Sequence, residues 1–453
     1  MKIISDSRIQ EYIDCVCMQI RCKEIHEDVR AELLSHIEEL VKEHVSYGVP
    51  RAEAVDKSLA LMGDPATVGK QLHKTHRPRM EWGILSVIAA LIGIGILATY
   101  SLGASQSVWH SSYAGTPTYY SMEELFAGKI IPFSLGICLV VFLYFFDYRK
   151  LKQFSFHLFV LTLLVMVYIL FFRQDLFNQI KGYGLVARSF ISASPFLFML
   201  ALAGIFTDWD WKRSGSLKKA FICFTIPSLI YLKYAPFYYN LVYLAGFMAL
   251  VISSGAGIKQ IKKMFAASVG LNVLLHTLWL LKSPWAINRL LASFNPYKDP
   301  YGAGYAIFQS IEAIRSAGFR GHGLASTLRT VPGVDTHLIL TYIVYTLGWV
   351  IGLAIVLLAV FFITRLARVA GQVKEPYGRL LIKGLVVVFM VQFLWNILMT
   401  VGLAPLLGVS LPFISNDGLQ FVVQIAMVGI ILSVYRRKDM TFIESEGRKG
   451  IEA

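Results

Sequence analysis

The feature that most constrains this chain is a series of apolar runs that recur from Trp82 almost to the C-terminus. A helix needs about 20 predominantly apolar residues, at 1.5 Å per residue, to cross the hydrocarbon core of a bilayer. Ten candidate spans are present, with cores at 83–101, 130–146, 154–172, 189–206, 219–234, 237–254, 264–281, 338–363, 383–403 and 418–435. The fifth and sixth are short and joined by Ala235-Pro236, so they form a candidate broken pair. Composition points the same way: 56% of the residues are hydrophobic and 16% charged, against about 25% charged in soluble domains. The expected fold class is all-α, a polytopic membrane protein of about ten transmembrane helices.

Orientation follows from the basic residues, because cytoplasmic loops carry an excess of Lys and Arg. One set of short segments holds 20 of them, including Arg149-Lys150, Lys212-Arg213, Lys262-Lys263, Arg365, Arg368, Arg436-Arg437-Lys438, Arg448 and Lys449. The opposite loops hold fewer over many more residues. Both termini are therefore expected in the cytoplasm, and the large loop 284–337 outside. The net charge of +14 then reports loop anchoring, and no nucleic-acid partner is expected.

Residues 1–80 have a different character, with 12 Lys/Arg against 13 Asp/Glu and no apolar core segment that would read as a signal peptide. Ser7 followed by Gln10 resembles a capping box, and Ile9, Tyr12, Ile13, Val16 and Ile20 fall at helical spacing. A second helix carries Ile25, Val29, Leu33, Ile37, Leu40 and Val41 on one face; Asp64-Pro65 opens a later one. This segment is expected to be a small cytoplasmic helical domain, a scaffold or interaction module without chemistry. Residues 81–440 are expected to form the membrane domain and 441–453 a cytoplasmic tail. The five cysteines, Cys15, Cys17, Cys22, Cys138 and Cys223, contain no Cys-x-x-Cys pair and support neither a disulfide framework nor a zinc site. Within the spans, ionisable residues are few: His276 in the seventh, and Lys233 snorkelling from the end of the fifth. A proton-coupled transporter would need a chain of buried titratable groups, which these two do not supply.

The stretch from Arg289 to His337 is far more polar and glycine-rich than its surroundings. Arg315, Arg320, His322 and Arg329 lie among Gly318, Gly321 and Gly323. Guanidinium groups bind phosphate oxygens bidentately and glycine permits close backbone approach. These four side chains are candidate ligands for the pyrophosphate of a lipid-linked sugar; the plainer alternative is a solvated basic loop beside anionic headgroups. Glu312 and Arg315 are spaced to pair on a short helix. Asp417 is a candidate carboxylate or the N-cap before Gly418. Gln392 and Asn396 share a helix face and suit bridging hydrogen bonds, while Trp82, Trp285 and Trp349 suit interfacial anchoring.

Gly304-Tyr305, Gln309-Ser310-Ile311, Ala313-Ile314, Gly318, Gly321-His322-Gly323-Leu324, Pro332 and Thr336, in that order, resemble the SEDS family (shape, elongation, division and sporulation) of the FtsW, RodA and SpoVE type. The tail agrees through Gln392, Asn396-Ile397, Met399, Gly402-Leu403, Pro405, Gly408 and Leu411-Pro412-Phe413-Ile414-Ser415. The resemblance implies polymerisation of peptidoglycan glycan from undecaprenyl-pyrophosphate-linked disaccharide, beside a class B penicillin-binding-type transpeptidase in a bacterial plasma membrane. It implies no resident cofactor beyond a possible divalent cation, and adds Ser415 to the candidate substrate ligands. Inverting glycosyl transfer needs a group to take the hydroxyl proton and cations to hold the leaving charge. The resemblance puts the carboxylate that takes this proton in a Pro-Glu-x-His-Thr-Asp run.

Here that run reads Pro332-Gly333-Val334-Asp335-Thr336-His337. Gly333 stands for the glutamate, Asp335 for the histidine and His337 for the aspartate. Three readings follow: an enzyme with exchanged roles, with Asp335 and His337 as the candidate catalytic residues; a non-catalytic family member that keeps its partner; or a lipid carrier. In an extended loop residues 335 and 337 would point the same way, and Asp335 has the alternative of capping the eighth span.

Overall fold

The computed structural model describes residues 6–20, 26–75, 80–105, 109–111, 117–119, 122–179, 183–234 and 237–438. Cys22, Ala235-Pro236 and the tail 441–453, with Arg448 and Lys449, lie outside the described residues. The chain divides into two compact units. One is Met1–Met80 with Val373–Glu375 and Tyr435–Ala453; the other is Glu81–Gln372 with Pro376–Val434.

The first unit contains α1 (Ser7–Met18), α2 (His26–Ser46), α3 (Arg51–Met62) and α4 (Pro65–Thr75). Ile9, Ile13, Val16, Val29, Ile37, Val41, Ala54 and Val55 form its core, the faces that helical spacing predicts. The start of α1 differs from expectation by one residue. Asp6, not Ser7, is the N-cap, its carboxylate accepting the Arg8 N–H at 3.1 Å. A carboxylate serves the cap as well as a hydroxyl and also complements the helix dipole. Asp64 caps α4 as its sequence suggests, accepting the Thr67 N–H at 2.9 Å.

Among its described residues, the second unit's only strands are one short antiparallel pair, β1 (Trp109–Ser111) with β2 (Pro117–Tyr119). Its helices are α5 (Trp82–Ser105), α6 (Met122–Phe145), α7 (Arg149–Gln153), α8 (Ser155–Gln179), α9 (Tyr183–Thr207), α10 (Ser216–Tyr234), α11 (Tyr238–Ser253) and α12 (Ile258–Leu281). They continue with α13 (Pro284–Phe294), α14 (Tyr305–Ser316), α15 (Ile339–Leu347), α16 (Trp349–Gln372), α17 (Pro376–Thr400) and α18 (Gly418–Arg436). Each of the ten expected spans falls on helix. By length and composition six described helices can cross a membrane, and Lys129–Phe145, Ser155–Phe171 and Tyr238–Ser253 are shorter apolar helices. The protein is an all-α, multi-pass membrane protein. Ile131, Phe142, Phe171, Leu281 and Leu353 are exposed on its outer helices, where hydrocarbon rather than water is the solvent. Inside, α17 packs on α9, α11 and α16, and Phe198, Phe206, Phe224, Tyr243 and Phe247 fill the interior as one aromatic cluster.

The eighth span is not continuous. It breaks at Gly348, φ +86°, into α15 and α16. The Gly318 carbonyl accepts the Trp349 N–H at 3.0 Å there, and an ideal Cβ on Gly348 would lie 2.2 Å from the Phe319 oxygen. The loop 284–337 is likewise more ordered than its composition suggests. Within it, α14 docks through Ser310, whose Oγ sits 2.6 Å from Thr341 Oγ1 and donates to the Thr400 carbonyl at 2.9 Å.

Candidate functional site

Residues 333–338 form a tight turn at the start of α15. Thr336 and Leu338 both donate their N–H to the Gly333 carbonyl, at 3.2 and 2.9 Å. The segment is therefore coiled, not extended, and the expectation that Asp335 and His337 project together from a strand-like loop is corrected. The N-cap position of α15 is Leu338.

Gly333 has φ +68°, and an ideal Cβ there would stand 2.3 Å from Cε1 and 2.5 Å from Nε2 of His337. The imidazole occupies the space a side chain at 333 would need. A side chain at 333 would therefore displace the His337 ring. Burial, and after it the positive charge of Arg289 on α13, lowers the His337 pKa to about 4. The ring is neutral at pH 7, with Nδ1 3.2 Å from Thr336 Oγ1. Asp335 is half-buried, and its carbonyl accepts the Asn416 N–H at 2.9 Å.

Ser415, a candidate substrate ligand, has its hydroxyl committed within the fold. It accepts the Leu411 N–H at 2.7 Å and donates to the Thr336 carbonyl at 2.8 Å. Asn396 does bridge, as its position on a shared helix face suggests: Nδ2 donates to the carbonyls of His337 at 3.0 Å and Val409 at 2.6 Å. Asp417 caps α18, accepting the Gln420 N–H at 3.3 Å. His276 is packed away, Nδ1 2.7 Å from the Asn272 carbonyl and its ring against Phe237.

The basic candidates gather elsewhere. Arg315 pairs with Glu312 at 3.2 Å and lies over the Tyr297 ring. His322 stacks on Tyr345, with centroids 4.4 Å apart, and its Nε2 lies 3.1 Å from Ser316 Oγ. Arg320 and Arg329 are exposed. His322 is thus held at the C-terminal end of α15 and His337 precedes its N-terminal end; the rise from Ile339 to Tyr345 is about 9 Å. The structure does not bring His322 together with the 333–338 turn.

Lys129, absent from the sequence-based candidates, bonds the segment next to Ser415 through Ile414. Its half-buried amine donates to the carbonyls of Gly95 at 2.8 Å and Ile414 at 3.1 Å. Beside it runs a groove of about 200 Å³ lined by Ile92, Ile96, Ile130, Phe133 and Phe421, with Lys129, Ser415 and Asn416 among its polar residues. Asn416 Oδ1 is buried and accepts no hydrogen bond from the described residues. The groove is almost wholly apolar, with one cation, one hydroxyl and one amide side chain in its lining. Among the described residues no group of three or more His, Cys, Asp or Glu side chains is arranged to hold a metal ion.

Residues 82–440 match the family model described as cell cycle protein, FtsW/RodA/SpoVE. The chain is 26% identical over 374 residues to stage V sporulation protein E of Bacillus subtilis, covering 78% of this chain and 96% of that one. It is 34% identical over 168 residues to the peptidoglycan glycosyltransferase MrdB of Escherichia coli K12, covering 36% and 45%. Its fold is similar to a chain of a solved peptidoglycan synthase complex, with TM-score 0.60 and 19% identity over 79% of this chain and 98% of that one. It is also similar to a variant of the rod shape determining protein RodA of Thermus thermophilus, with TM-score 0.54 and 18% identity over 79% and 98%.

Proposed function

The chain belongs to the FtsW/RodA/SpoVE family of cell cycle proteins, and on that premise we propose that it polymerises peptidoglycan glycan from a disaccharide carried on undecaprenyl pyrophosphate. The observation that carries this reading is the apolar groove whose lining includes Lys129, Ser415 and Asn416. A polyprenyl chain matches its apolar walls, and an ammonium matches a pyrophosphate. Ser415 also bonds the turn that bears His337, so lipid groove and reacting group share one wall.

In this reading His337 is the general base. The acceptor sugar's hydroxyl gives its proton to the neutral imidazole as its oxygen bonds the anomeric carbon of the donor. The anomeric carbon–phosphate oxygen bond breaks on the opposite face, and the pair leaves with the lipid pyrophosphate, facing Lys129. A pKa of about 4 for His337 gives this ring the basicity of an ordinary aspartate, about 3.9. Replacement of a carboxylate by a buried imidazole therefore keeps the strength of the base. Asp335 is the alternative base. Arg315, Arg320, His322 and Arg329 serve the outer surface rather than the reacting bond. A class B transpeptidase partner, supported by the likeness to a chain of a peptidoglycan synthase complex, and cytoplasmic termini, supported by the basic residues of the short loops, complete the proposal.

The test is polymerisation of purified lipid-linked disaccharide, with the protein alone and with a matched transpeptidase. His337→Ala is expected to abolish product and Asp335→Ala to leave it measurable. The reverse result moves the base to Asp335. No product from the wild-type chain under either condition sinks the catalytic reading and leaves the non-catalytic partner.

A further inference from the structure

Asp335, Thr336 and His337 each have their backbone carbonyl taken by a donor from elsewhere in the chain. The Asn416 N–H donates to the first at 2.9 Å, the Ser415 hydroxyl to the second at 2.8 Å and Asn396 Nδ2 to the third at 3.0 Å. Two of these donors are side chains, and both are tied to the strap that precedes α18. Asn396 Nδ2 also donates to Val409, and the Ser415 hydroxyl also accepts from Leu411. Neither group has a donor hydrogen left over at these positions for a substrate.

The strap itself is pinned on three sides. Phe413 is buried between Phe362 and Phe389, at centroid distances of 5.5 and 5.6 Å, and its N–H donates to Gln424 at 3.1 Å. Ile414 approaches α5 so closely that a Cβ on Gly95 would lie 2.8 Å from its carbonyl oxygen, which also accepts from Lys129. Phe413 holds φ +66°, a conformation that a bulky residue adopts only where its surroundings over-determine it, and such strain gathers at functional sites. Nothing about packing a loop against a membrane domain calls for a strained phenylalanine. Phe413 directly precedes the segment that presents two donors, Ser415 Oγ and Asn416 N–H, to the consecutive carbonyls of Thr336 and Asp335.

We propose that Asn396 and the strap Leu411–Asn416 are a positioning clamp, fixing the Asp335–His337 turn by its backbone so that the imidazole stays seated over Gly333, and that Ser415 acts through this clamp and not on substrate. The proposal rests on the glycosyl-transfer reading for its catalytic consequence but not for its structural one. The clamp also makes the strap the common wall between the lipid groove and the turn. A misplacement of about 1 Å in a reacting group is worth roughly a hundredfold in rate, which is the scale of loss expected when a clamp bond is removed.

The experiment uses the full chain in nanodiscs, with Ser415→Ala, Ser415→Thr and Asn396→Leu. Hydrogen–deuterium exchange at the Thr336 and Leu338 amides is expected to speed up at least tenfold in Ser415→Ala and in Asn396→Leu, and to stay near wild type in Ser415→Thr, which keeps the hydroxyl. In polymerisation assays Ser415→Ala is expected to lose ten- to a hundredfold in kcat with KM unchanged. The acid limb of its pH profile should move up from about 4 toward the 6.5 of a solvated histidine, and Ser415→Thr should reverse both effects. Unchanged exchange in Ser415→Ala overturns the clamp. So does a raised KM with unchanged kcat, which would make Ser415 a substrate ligand. If the wild type polymerises nothing, the exchange result still decides the clamp, and only the reading of function fails. Ser415→Ala deletes one oxygen from a residue already 7% exposed, so it tests the idea even if Asn396→Leu does not fold.

Discussion

Gly333→Ala isolates the contact on which the catalytic assignment depends. The new methyl carbon would stand 2.3 Å from Cε1 of His337, where carbon atoms pack no closer than about 3.5 Å. The ring must therefore shift by about 1 Å or rotate away. Alanine at φ +68° adds a left-handed penalty of about 1–2 kcal/mol. That is a modest loss of stability, so the protein is expected to fold and insert. A 1 Å shift of the base costs roughly a hundredfold in turnover, or about 2.7 kcal/mol of barrier. The assay is glycan polymerisation, with a thermal melt to confirm folding. The partner substitution sharpens it: once His337→Ala removes the ring, Gly333→Ala should cost only the backbone penalty, so the two stability losses will not add. Full turnover in a folded Gly333→Ala protein would refute both the packing argument and the choice of base.

Wild-type activity should hold from neutral pH down to about 5 and fall through about 4, because the base acts in its neutral form and burial has lowered its pKa to about 4; a limb near 6.5 would show a solvated ring. Lys129→Met removes the donor to Gly95 and Ile414 and the cation of the groove; it should weaken binding of a polyprenyl pyrophosphate at least tenfold in a vesicle-based titration while changing binding of the dephosphorylated alcohol little. Gly348→Ala forces a methyl to 2.2 Å from the Phe319 oxygen at φ +86°; it should destabilise by about 2 kcal/mol or more and lower the melting temperature. Arg315→Ala removes an exposed pair with Glu312 worth under about 1 kcal/mol; polymerisation should fall less than threefold, and a larger loss would return Arg315 to the substrate site.

The membrane helices were legible because they fall on long apolar runs, and lipid offers backbone groups no alternative partner to helix. The break at Gly348 was not, since hydropathy is blind to a residue whose role is its positive φ and its contact with Phe319. The Glu312–Arg315 pair and the Asp417 cap could be read from spacing alone, because both are local. The bonds of Ser415 were not legible for the opposite reason: its partner Thr336 lies 79 positions away. Lys129 was hidden by a sound prior, that a lysine at the edge of a span snorkels outward; here it turns inward to two carbonyls.

The exchange at 333 and 337 is also where sequence comparison alone misjudges the chemistry. Residue by residue it looks like loss: a glutamate deleted, an aspartate replaced. In three dimensions the His337 ring fills the space a side chain at 333 would need, and burial lowers its pKa to about 4. One consequence differs from a carboxylate site. An aspartate that accepts the proton becomes neutral, whereas an imidazole becomes a cation while negative charge builds on the departing pyrophosphate. In the proposed mechanism the histidine would supply base and electrostatic stabilisation in one group. A His337→Asp, Gly333→Glu double variant separates the two contributions: proton removal is kept and the late positive charge is lost. If that charge matters, polymerisation should fall about tenfold or more while the acid limb stays near pH 4. Equal activity in the double variant would mean that His337 contributes its basicity alone.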